Sequence, residues 1–493
     1  MLTSDFDDIS SNGMGCSFVD RENMLTEFKI RQPYYNYLRG LNLLFAAIFV
    51  LLLFSRPADA TTGDANATSE RTLSLKTAVQ MALENNHQIK AFAYSVSASQ
   101  QDVHIARGEL LPKIAIEENL TRTDIPAYAF SSKLNQQRFS SADLAGAPGT
   151  FNNPGYLNNY QTVFSIEQPL FAPTASIGHD IADKQSQAKG EEYQRAREEI
   201  VYRVIREYLM VHTAKEMVIA CANSVNDADE HIRISRLQYD ANLGLYSDVL
   251  RASTAQKQAQ QNLITAQKNL RMAKRFLGMA VGTQDSFDVE SDFPTIMIEP
   301  IERYTAAAIS RRDIMAMEKN IEIAQKNIDL TTAEYLPVAG LRADYQLDDH
   351  STPFGSEGDG WFGGVFLKWY VFEGAKRDAQ RAKAKFELSR TKENMYELEN
   401  AISLQVYQAW LSVEEAQKNM ELAKSAVETS EEGIRLVRKR YENSLSPLVD
   451  LLDTQLVLDN ARANLVAKKN EYSTAVATLL FESGTILSDL KLE

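Results

Sequence analysis

Two carboxylates in the C-terminal part of the chain have a spacing that could act on ions. Asp450 and Asp453 follow the segment Leu445-Ser446-Pro447 and are three residues apart, so on a helix they share one face. Carboxylates gathered in this way attract cations, and they repel one another unless cations or partner groups compensate. The pair is therefore the strongest candidate for a functional site in this sequence.

An ordinary helix start explains the same residues in part. Ser446 suits an N-cap, Pro447 suits the first helical position, and the helix dipole favours an acid such as Asp450. Asp453 lies about two turns into the helix, where the dipole explains it poorly. Asp248, next to the expected cap Ser247, fits a helix-start acid better than a gate residue.

No other residues form a set typical of catalysis or cofactor binding. The sequence has six scattered His and only two Cys, Cys16 and Cys221, whereas structural zinc needs clustered ligands. It also has no nucleophile with a paired base and no Gly-rich phosphate loop. We therefore predict no enzyme activity, no cofactor and no metal. The formal charge of −14 argues against a nucleic-acid partner, because a phosphate-binding surface is basic.

Residues 1–60 have the pattern of an N-terminal extension followed by a signal peptide. A basic segment precedes the apolar residues 41–54, and a small-x-small site ends at Ala60. The apolar run is shorter than the roughly 20 residues that span a bilayer as a helix, which favours cleavage over a membrane anchor. The residues before Met24 fit no signal peptide, so Met24 is a possible true start.

Proline placement and apolar periodicity predict very long helices. No proline lies between Pro173 and Pro294 or between Pro353 and Pro447, and proline costs about 3 kcal/mol inside a helix. Apolar residues recur there at alternating spacings of three and four, which is the pattern of a coiled coil. We predict two helical hairpins, at about residues 174–280 and 374–482. The members of the clearest series are Ile402, Val406, Ala409, Val413, Ala416, Met420, Ala423, Val427, Ile434 and Val437.

The chain contains an internal duplication. Tyr239 and Asp248 match Tyr441 and Asp450 at an offset of 202 residues. Upstream, the pairs Leu-Pro at 111–112 and at 336–337 match at an offset of 225. Repeats of this kind indicate one structural unit used twice. The predicted units cover residues 61–283 and 284–493, and the first has about 23 extra residues between its strands.

Each unit also contains two predicted strands. Their approximate bounds are 113–121, 160–170, 338–347 and 361–371, and apolar residues alternate with polar ones along them. The length suits a tilted transmembrane strand, although a small soluble sheet has the same pattern. Four strands cannot close a barrel, and open strand edges cannot lie in lipid. Membrane strands would therefore have to be pooled from several copies.

The plan as a whole resembles the TolC-like outer-membrane efflux protein family. The resemblance covers about residues 72–485 and rests on the duplicated order of elements, on the Leu-Pro strand entries, and on the segments after the strands, which are Gln168-Pro169-Leu170-Phe171 and Trp369-Tyr370-Val371-Phe372-Glu373-Gly374. It also rests on the turns at 239–250 and 441–453. The resemblance implies a mainly α protein with a small transmembrane β part. It further implies a homotrimer whose 12-stranded β-barrel continues into a 12-helix coiled-coil tunnel.

This resemblance gives the candidate site residues their places. Asp450 and Asp453, with Asp248 as a weaker candidate, would lie at the periplasmic end of the tunnel, where three chains bring carboxylates together as a gate. Trp361 and Trp369 would belong to an aromatic girdle at the membrane surface, unless they are buried in a soluble sheet. The turn residues are candidates for adaptor contact or for local turn packing; they are Gly244, Leu245, Ser247, Leu445, Ser446 and Pro447.

The resulting functional prediction is a passive exit duct in the cell outer membrane, extending far into the periplasm. Its expected partners are outer membrane lipids, a periplasmic adaptor (membrane fusion) protein and an inner-membrane pump of a tripartite efflux or type I secretion system. The alternative is a periplasmic coiled-coil adaptor or scaffold. An adaptor of that kind has one helical hairpin beside β domains, whereas this sequence has two hairpins and few strands.

Overall fold

The computed structural model describes residues 71–146, 148–290, 294 and 296–492. The predicted signal peptide and the possible start at Met24 lie outside these residues. Within them, no helix combines the length and the apolar character needed to cross a membrane.

The described residues are mainly helical, and the same order of elements occurs twice, as predicted. The first unit consists of β1 (Thr72–Leu73), α1 (Leu75–Asn85), α2 (His87–Gly108), β2 (Lys113–Thr123), three short helices α3 (Pro126–Asn135), α4 (Ser141–Ala145) and α5 (Gly149–Asn152), β3 (Leu157–Phe171), α6 (Pro173–Asp240) and α7 (Tyr246–Ala280). The second consists of β4 (Asp288–Val289), α8 (Ile301–Ala308), α9 (Arg312–Ala333), β5 (Val338–Asp349), β6 (Gly358–Lys368), α10 (Lys376–Glu442), α11 (Leu448–Glu482) and α12 (Ile486–Asp489).

The long helices pack side by side along most of their length. α6 has 68 residues and α10 has 67, and at 1.5 Å per residue each is about 100 Å long. They are neighbours in the order α7, α6, α11, α10, so α7 and α10 are the two outer helices of this layer. The predicted seam of α10 faces its neighbours, because Val406, Ala409, Val413 and Ala416 are all buried.

Apolar packing is concentrated at two levels of the helical layer. A large core joins α1, α6, α7, α10 and α11 near the middle of the molecule, where Tyr208, Leu277 and Leu480 are fully buried. A smaller cluster near the far ends of the hairpins includes Ile232, Ile434, Leu448, Leu451 and Leu458. The two levels hold the hairpins together at their tips and near the middle of the long helices.

The four longer strands form one antiparallel sheet in the order β2-β3-β5-β6. β1 and β4 form a separate parallel pair, which joins the first strand of one repeat to the first strand of the other. The sequence predicted that the last strand would continue to residue 371, but β6 ends at Lys368. The chain turns into α10 at Gly374 and Ala375, which both take a left-handed conformation, with φ of 62° and 61°.

Candidate functional site at the sheet and the helix tips

The register of the sheet separates an apolar face from a polar face. One row of cross-strand neighbours reads Ile116, Phe164, Tyr345 and Trp361, and all four side chains are exposed. The opposite face presents charged and polar side chains, among them Lys113, Glu117, Glu167, Arg342 and Asp344. An exposed apolar face of this kind is typical of a surface that meets lipid, and the polar face is typical of a water-filled lumen.

Trp361 and Trp369 lie at opposite ends of the apolar face. Both side chains are exposed, by 82% and 57%. Trp369 follows the end of β6, and its Nε1 donates a hydrogen bond to the carbonyl of Tyr335 at 3.0 Å. The placement of these two residues in an aromatic girdle stays a prediction.

The far ends of the two hairpins are built as matching turns. Asn242 and Ser444 occupy equivalent positions and have φ of 59° and 58°. In each turn the next residue closes a long hydrogen bond, from Leu243 N to Gln238 O and from Leu445 N to Arg440 O, both at 2.8 Å. This is the geometry of a Schellman motif, which ends a helix and reverses the chain.

The candidate carboxylates lie directly after these turns. Asp248 is in the first turn of α7, and Asp450 is in the first turn of α11. Asp450 and Asp453 are exposed on one face of α11, while Asp248 is half-buried. Within the part of the chain that the structure describes, neither Asp450 nor Asp453 forms an ion pair. Both carboxylates are thus open to solvent or to a neighbouring molecule.

The expected caps of these helices are wrong. α11 begins at Leu448 with Pro447 in the cap position, and α7 begins at Tyr246 with Leu245 in the cap position. Neither cap residue supplies a side-chain oxygen, and the buried hydroxyl of Ser446 has no hydrogen-bond partner. Each helix therefore begins without the side-chain cap that the sequence predicted. The remaining predicted contact residues, Gly244 and Ser247, lie on the same tip surface.

Side-chain hydrogen bonds join the two tips to each other. The hydroxyls of Ser235 and Tyr441 are 3.1 Å apart, and Gln238 Nε2 donates to the carbonyl of Tyr441 at 2.6 Å. Burial raises the pKa of the Tyr441 phenol, and the carboxylate of Asp248 adds to this effect. The tip of one hairpin is therefore tied to the tip of the other within a single chain.

Further up the same seam lies a polar cluster that the sequence analysis missed. Gln455 Nε2 donates to Asp227 at 3.1 Å and to Asp459 at 2.9 Å, and Arg462 donates to Asp227 at 3.0 Å. Ser224 Oγ donates to Asp459 at 2.7 Å. The available signal was polar residues at core positions of the coiled coil, because Gln455 and Arg462 continue the series Leu448, Leu451 and Leu458.

His231 is the buried titratable group of this cluster. Its ring is 1% exposed, its Nε2 lies 3.1 Å from Gln455 Oε1, and its Nδ1 has no partner. Burial lowers the pKa of His231, and the Gln455 hydrogen bond opposes that shift only partly. A neutral imidazole is therefore held between the hairpins.

Three potential metal ligands meet at the opposite end of the molecule, at the β5–β6 hairpin. Ligand atoms of Asp349, His350 and Glu357 lie within 4.8 Å of one another. His350 Nδ1 is 2.6 Å from Glu357 Oε2, and Asp349 accepts hydrogen bonds from the amides of Ser351 and Thr352. These contacts are those of a tight loop closed by an ion pair, and they account for the grouping.

Comparison with known proteins identifies relatives across most of the chain. The model of the "Outer membrane efflux protein" family matches residues 78–283 and 304–485. The alkaline protease secretion protein AprF of Pseudomonas aeruginosa is 21% identical over 434 residues, which are 85% of this chain and 86% of that protein.

Solved structures share the fold at low sequence identity. A membrane protein from Pseudomonas aeruginosa superposes with a TM-score of 0.70 at 17% identity, covering 83% of this chain and 93% of that chain. The Campylobacter jejuni CmeC outer membrane channel gives 0.68 at 15% identity, covering 84% and 86%. The open state of the Neisseria gonorrhoeae MtrE outer membrane channel gives 0.67 at 17% identity, covering 86% and 95%.

Proposed function

The chain belongs to the outer membrane efflux protein family, and from this premise we propose that three copies form a passive exit duct through the outer membrane. The sheet of each copy supplies a third of a 12-stranded barrel, and the four long helices supply a third of a periplasmic tunnel. Energy comes from an inner-membrane pump, which is coupled to the duct by a periplasmic adaptor.

The open edges of the sheet carry this proposal. β2 and β6 are the outer strands, and no described strand pairs with the free edge of either. Unpaired backbone groups cannot remain in a bilayer, since each costs several kcal/mol there. Because neighbouring strands alternate in direction, β6 of one copy can pair antiparallel with β2 of the next. Head-to-tail pairing of this kind closes into a ring.

The layer of long helices, like the sheet, has one outer element from each repeat, and both outer helices have a side that no other long helix covers. The outer helix α10 carries an exposed apolar stripe at helical spacing, formed by Leu404, Leu411, Leu422 and Leu436. The other outer helix, α7, carries an exposed stripe formed by Leu250, Ile264, Met272 and Met279. Each stripe lies on one helix face, which is the pattern of a coiled-coil seam without its partner. α10 of one copy and α7 of the next are the natural pair.

The tip carboxylates supply a gate within this assembly. Three copies bring six carboxylates of Asp450 and Asp453 to the narrow periplasmic end, and none of the described residues of the same chain forms an ion pair with them. Such a ring attracts cations and opposes anions. Asp248 stays outside this set, because it is half-buried beside Tyr441.

The exposed tip surface is the proposed adaptor contact. Leu243, Leu245, Tyr246 and Leu445 are all exposed there, and apolar groups at a tip mark a surface that binds another protein. AprF is a protease secretion protein by name, and this supports a type I secretion pump as the partner; a drug-efflux pump is the other candidate for the same surface.

Assembly through the α10 stripe provides the test. Leu422→Glu places a charge in the proposed seam between copies, whereas Gln417→Glu adds the same charge to an exposed position of α10 away from the stripe. Outer-membrane extracts should give a heat-labile trimer for the parent protein and for Gln417→Glu, but not for Leu422→Glu. Trimers of unchanged heat stability in Leu422→Glu, or a detergent-free monomer for the parent protein, would contradict the proposal.

A further inference from the structure

The connection between β2 and β3 is long and folded. We call residues 124–146 and 148–156 the outer cap, which contains helices α3, α4 and α5. Its interior is an aromatic cluster in which Phe130 lies 5.4 Å from Phe139 and 5.2 Å from Phe151, measured between ring centroids. Lys133 forms an ion pair with Asp143. This contact and the hydrogen bonds from Ser140 lower the pKa of Asp143 to about 2. The outer cap therefore has a small core of its own.

The outer cap does not stay beside the two strands that it connects. Helix α3 packs against β3 and also against β6, two strands further along the sheet. To touch both, it crosses β5 at the outer end of the sheet. A connection that only joined β2 to β3 would not need to contact β6. Specific contacts hold the outer cap in this position.

The first anchor is a chain of buried amides and a carboxylate. Gln136, which is 1% exposed, donates from Nε2 to the carbonyl of Asn158 at 2.8 Å and to Oδ1 of Asn159 at 2.7 Å. Asn159 Nδ2 donates in turn to Asp348 Oδ1 at 2.7 Å. Asp348 is 2% exposed. Buried polar groups so fully paired are costly to separate.

The second anchor depends on a glycine. A Cβ atom at Gly358 would lie only 1.9 Å from the carbonyl oxygen of Asn135, the last residue of α3. Gly360, two residues later on the same face of β6, has nothing within 4 Å of its Cβ position. The end of α3 thus rests directly on the backbone of β6 at Gly358, whereas the Cβ position of Gly360 is open.

Both anchors lie on the polar face of the sheet. Asp348 pairs with Gly358 and Gln161 in one row, which faces the same way as the row of Asp344 and Ser165. On the proposed duct this is the face that lines the lumen. A weaker contact, Arg138 Nε at 3.9 Å from Glu357 Oε2, ties the outer cap to the β5–β6 hairpin as well.

We infer that the outer cap is a lid that folds inward over the outer mouth of the duct and must be displaced for large cargo to leave. This rests on the proposed function, since it requires the polar face to line the lumen. In the closed position the lid passes small solutes and holds back large ones from outside. Displacement breaks the Gln136 contacts and lifts α3 from Gly358.

The test measures access to a thiol placed below the lid in intact cells. Ala115→Cys lies on the polar face of β2, and Cys16→Ser with Cys221→Ser removes the native thiols. A small maleimide and a large polyethylene-glycol maleimide are added from outside. The parent lid should admit the small reagent and exclude the large one. Gly358→Ala should raise the labelling rate of the large reagent about tenfold, because an equilibrium between closed and displaced lids shifts toward the displaced state.

Two further variants complete the experiment. Gly360→Ala, which meets no neighbour, should label as the parent does. Gln136→Ala removes the other anchor and should act in the same direction as Gly358→Ala, so the test does not depend on one substitution that could harm folding. Rapid labelling of the parent by the large reagent, or no rise in either anchor variant, overturns the lid. The heat-labile trimer band is read in the same samples, and its absence would instead refute the duct itself.

Discussion

Removing the Gln455 side chain should loosen the helical tips by an amount that the structure allows to be estimated. Gln455→Ala leaves the buried ring of His231 with no partner at either nitrogen. Asp227 and Asp459 keep other partners, Arg462 and Ser224, and both carboxylates are partly exposed, so their losses add little. One unsatisfied buried polar group costs roughly 1–3 kcal/mol, so we expect about 2 kcal/mol.

Native-state hydrogen exchange on the full-length protein in detergent measures this loss. A cost of about 2 kcal/mol corresponds to about 30-fold faster exchange of amides that open with the tips. The increase should be confined to the amides of α6 and α11 near residues 227–235 and 448–462. Asn464→Ala is the matched control, because Asn464 is exposed on the same helix. Exchange at the tips that is no faster in Gln455→Ala than in Asn464→Ala would refute the reasoning.

Three other predictions concern the same end of the molecule. Asp450→Ala combined with Asp453→Ala should raise single-channel conductance in planar bilayers, because the shorter side chains widen the aperture, and should weaken cation preference, because the ring loses its charge; Glu428→Ala, at an exposed carboxylate away from the tip, should do neither. Leu451→Ala should cost about 3 kcal/mol, because Leu451 is fully buried in the tip cluster, and hydrogen exchange near the tips would report it. Folding lowers the pKa of His231, so the unfolded chain binds the proton first as pH falls, and stability should decline below about pH 6.5. Thermal unfolding across that range checks this, and His231→Gln should remove its share of the decline.

Features that depend on neighbours in sequence could be predicted without the structure. The proline gaps and the repeated spacing of apolar residues predicted the long helices, because helix hydrogen bonds and side-chain neighbours are local. The matched turns at Asn242 and Ser444 also follow from the duplication. The expected caps at Ser247 and Ser446 were wrong, since the helices begin at Tyr246 and Leu448 with Leu245 and Pro447 in the cap positions.

The polar cluster could not be assembled from sequence because its members are far apart along the chain. Asp227 and Gln455 are 228 residues apart and meet only when the two hairpins pack. The heptad position of Gln455 indicates that its side chain faces another helix. It does not indicate which residues of that helix the side chain meets, because no local pattern of sequence encodes that contact.

The sequence by itself determined the duplicated, mainly helical plan, the four strands and the shortage of strands for a closed barrel, because periodicity and helix breaking act over a few residues. Only the tertiary structure decided that the connection after β2 crosses the polar face to reach Gly358, and which carboxylates remain without partners at the tips. Those outcomes depend on which surfaces come into contact when distant segments pack. The free energy of that packing is set by burial and not by local propensity.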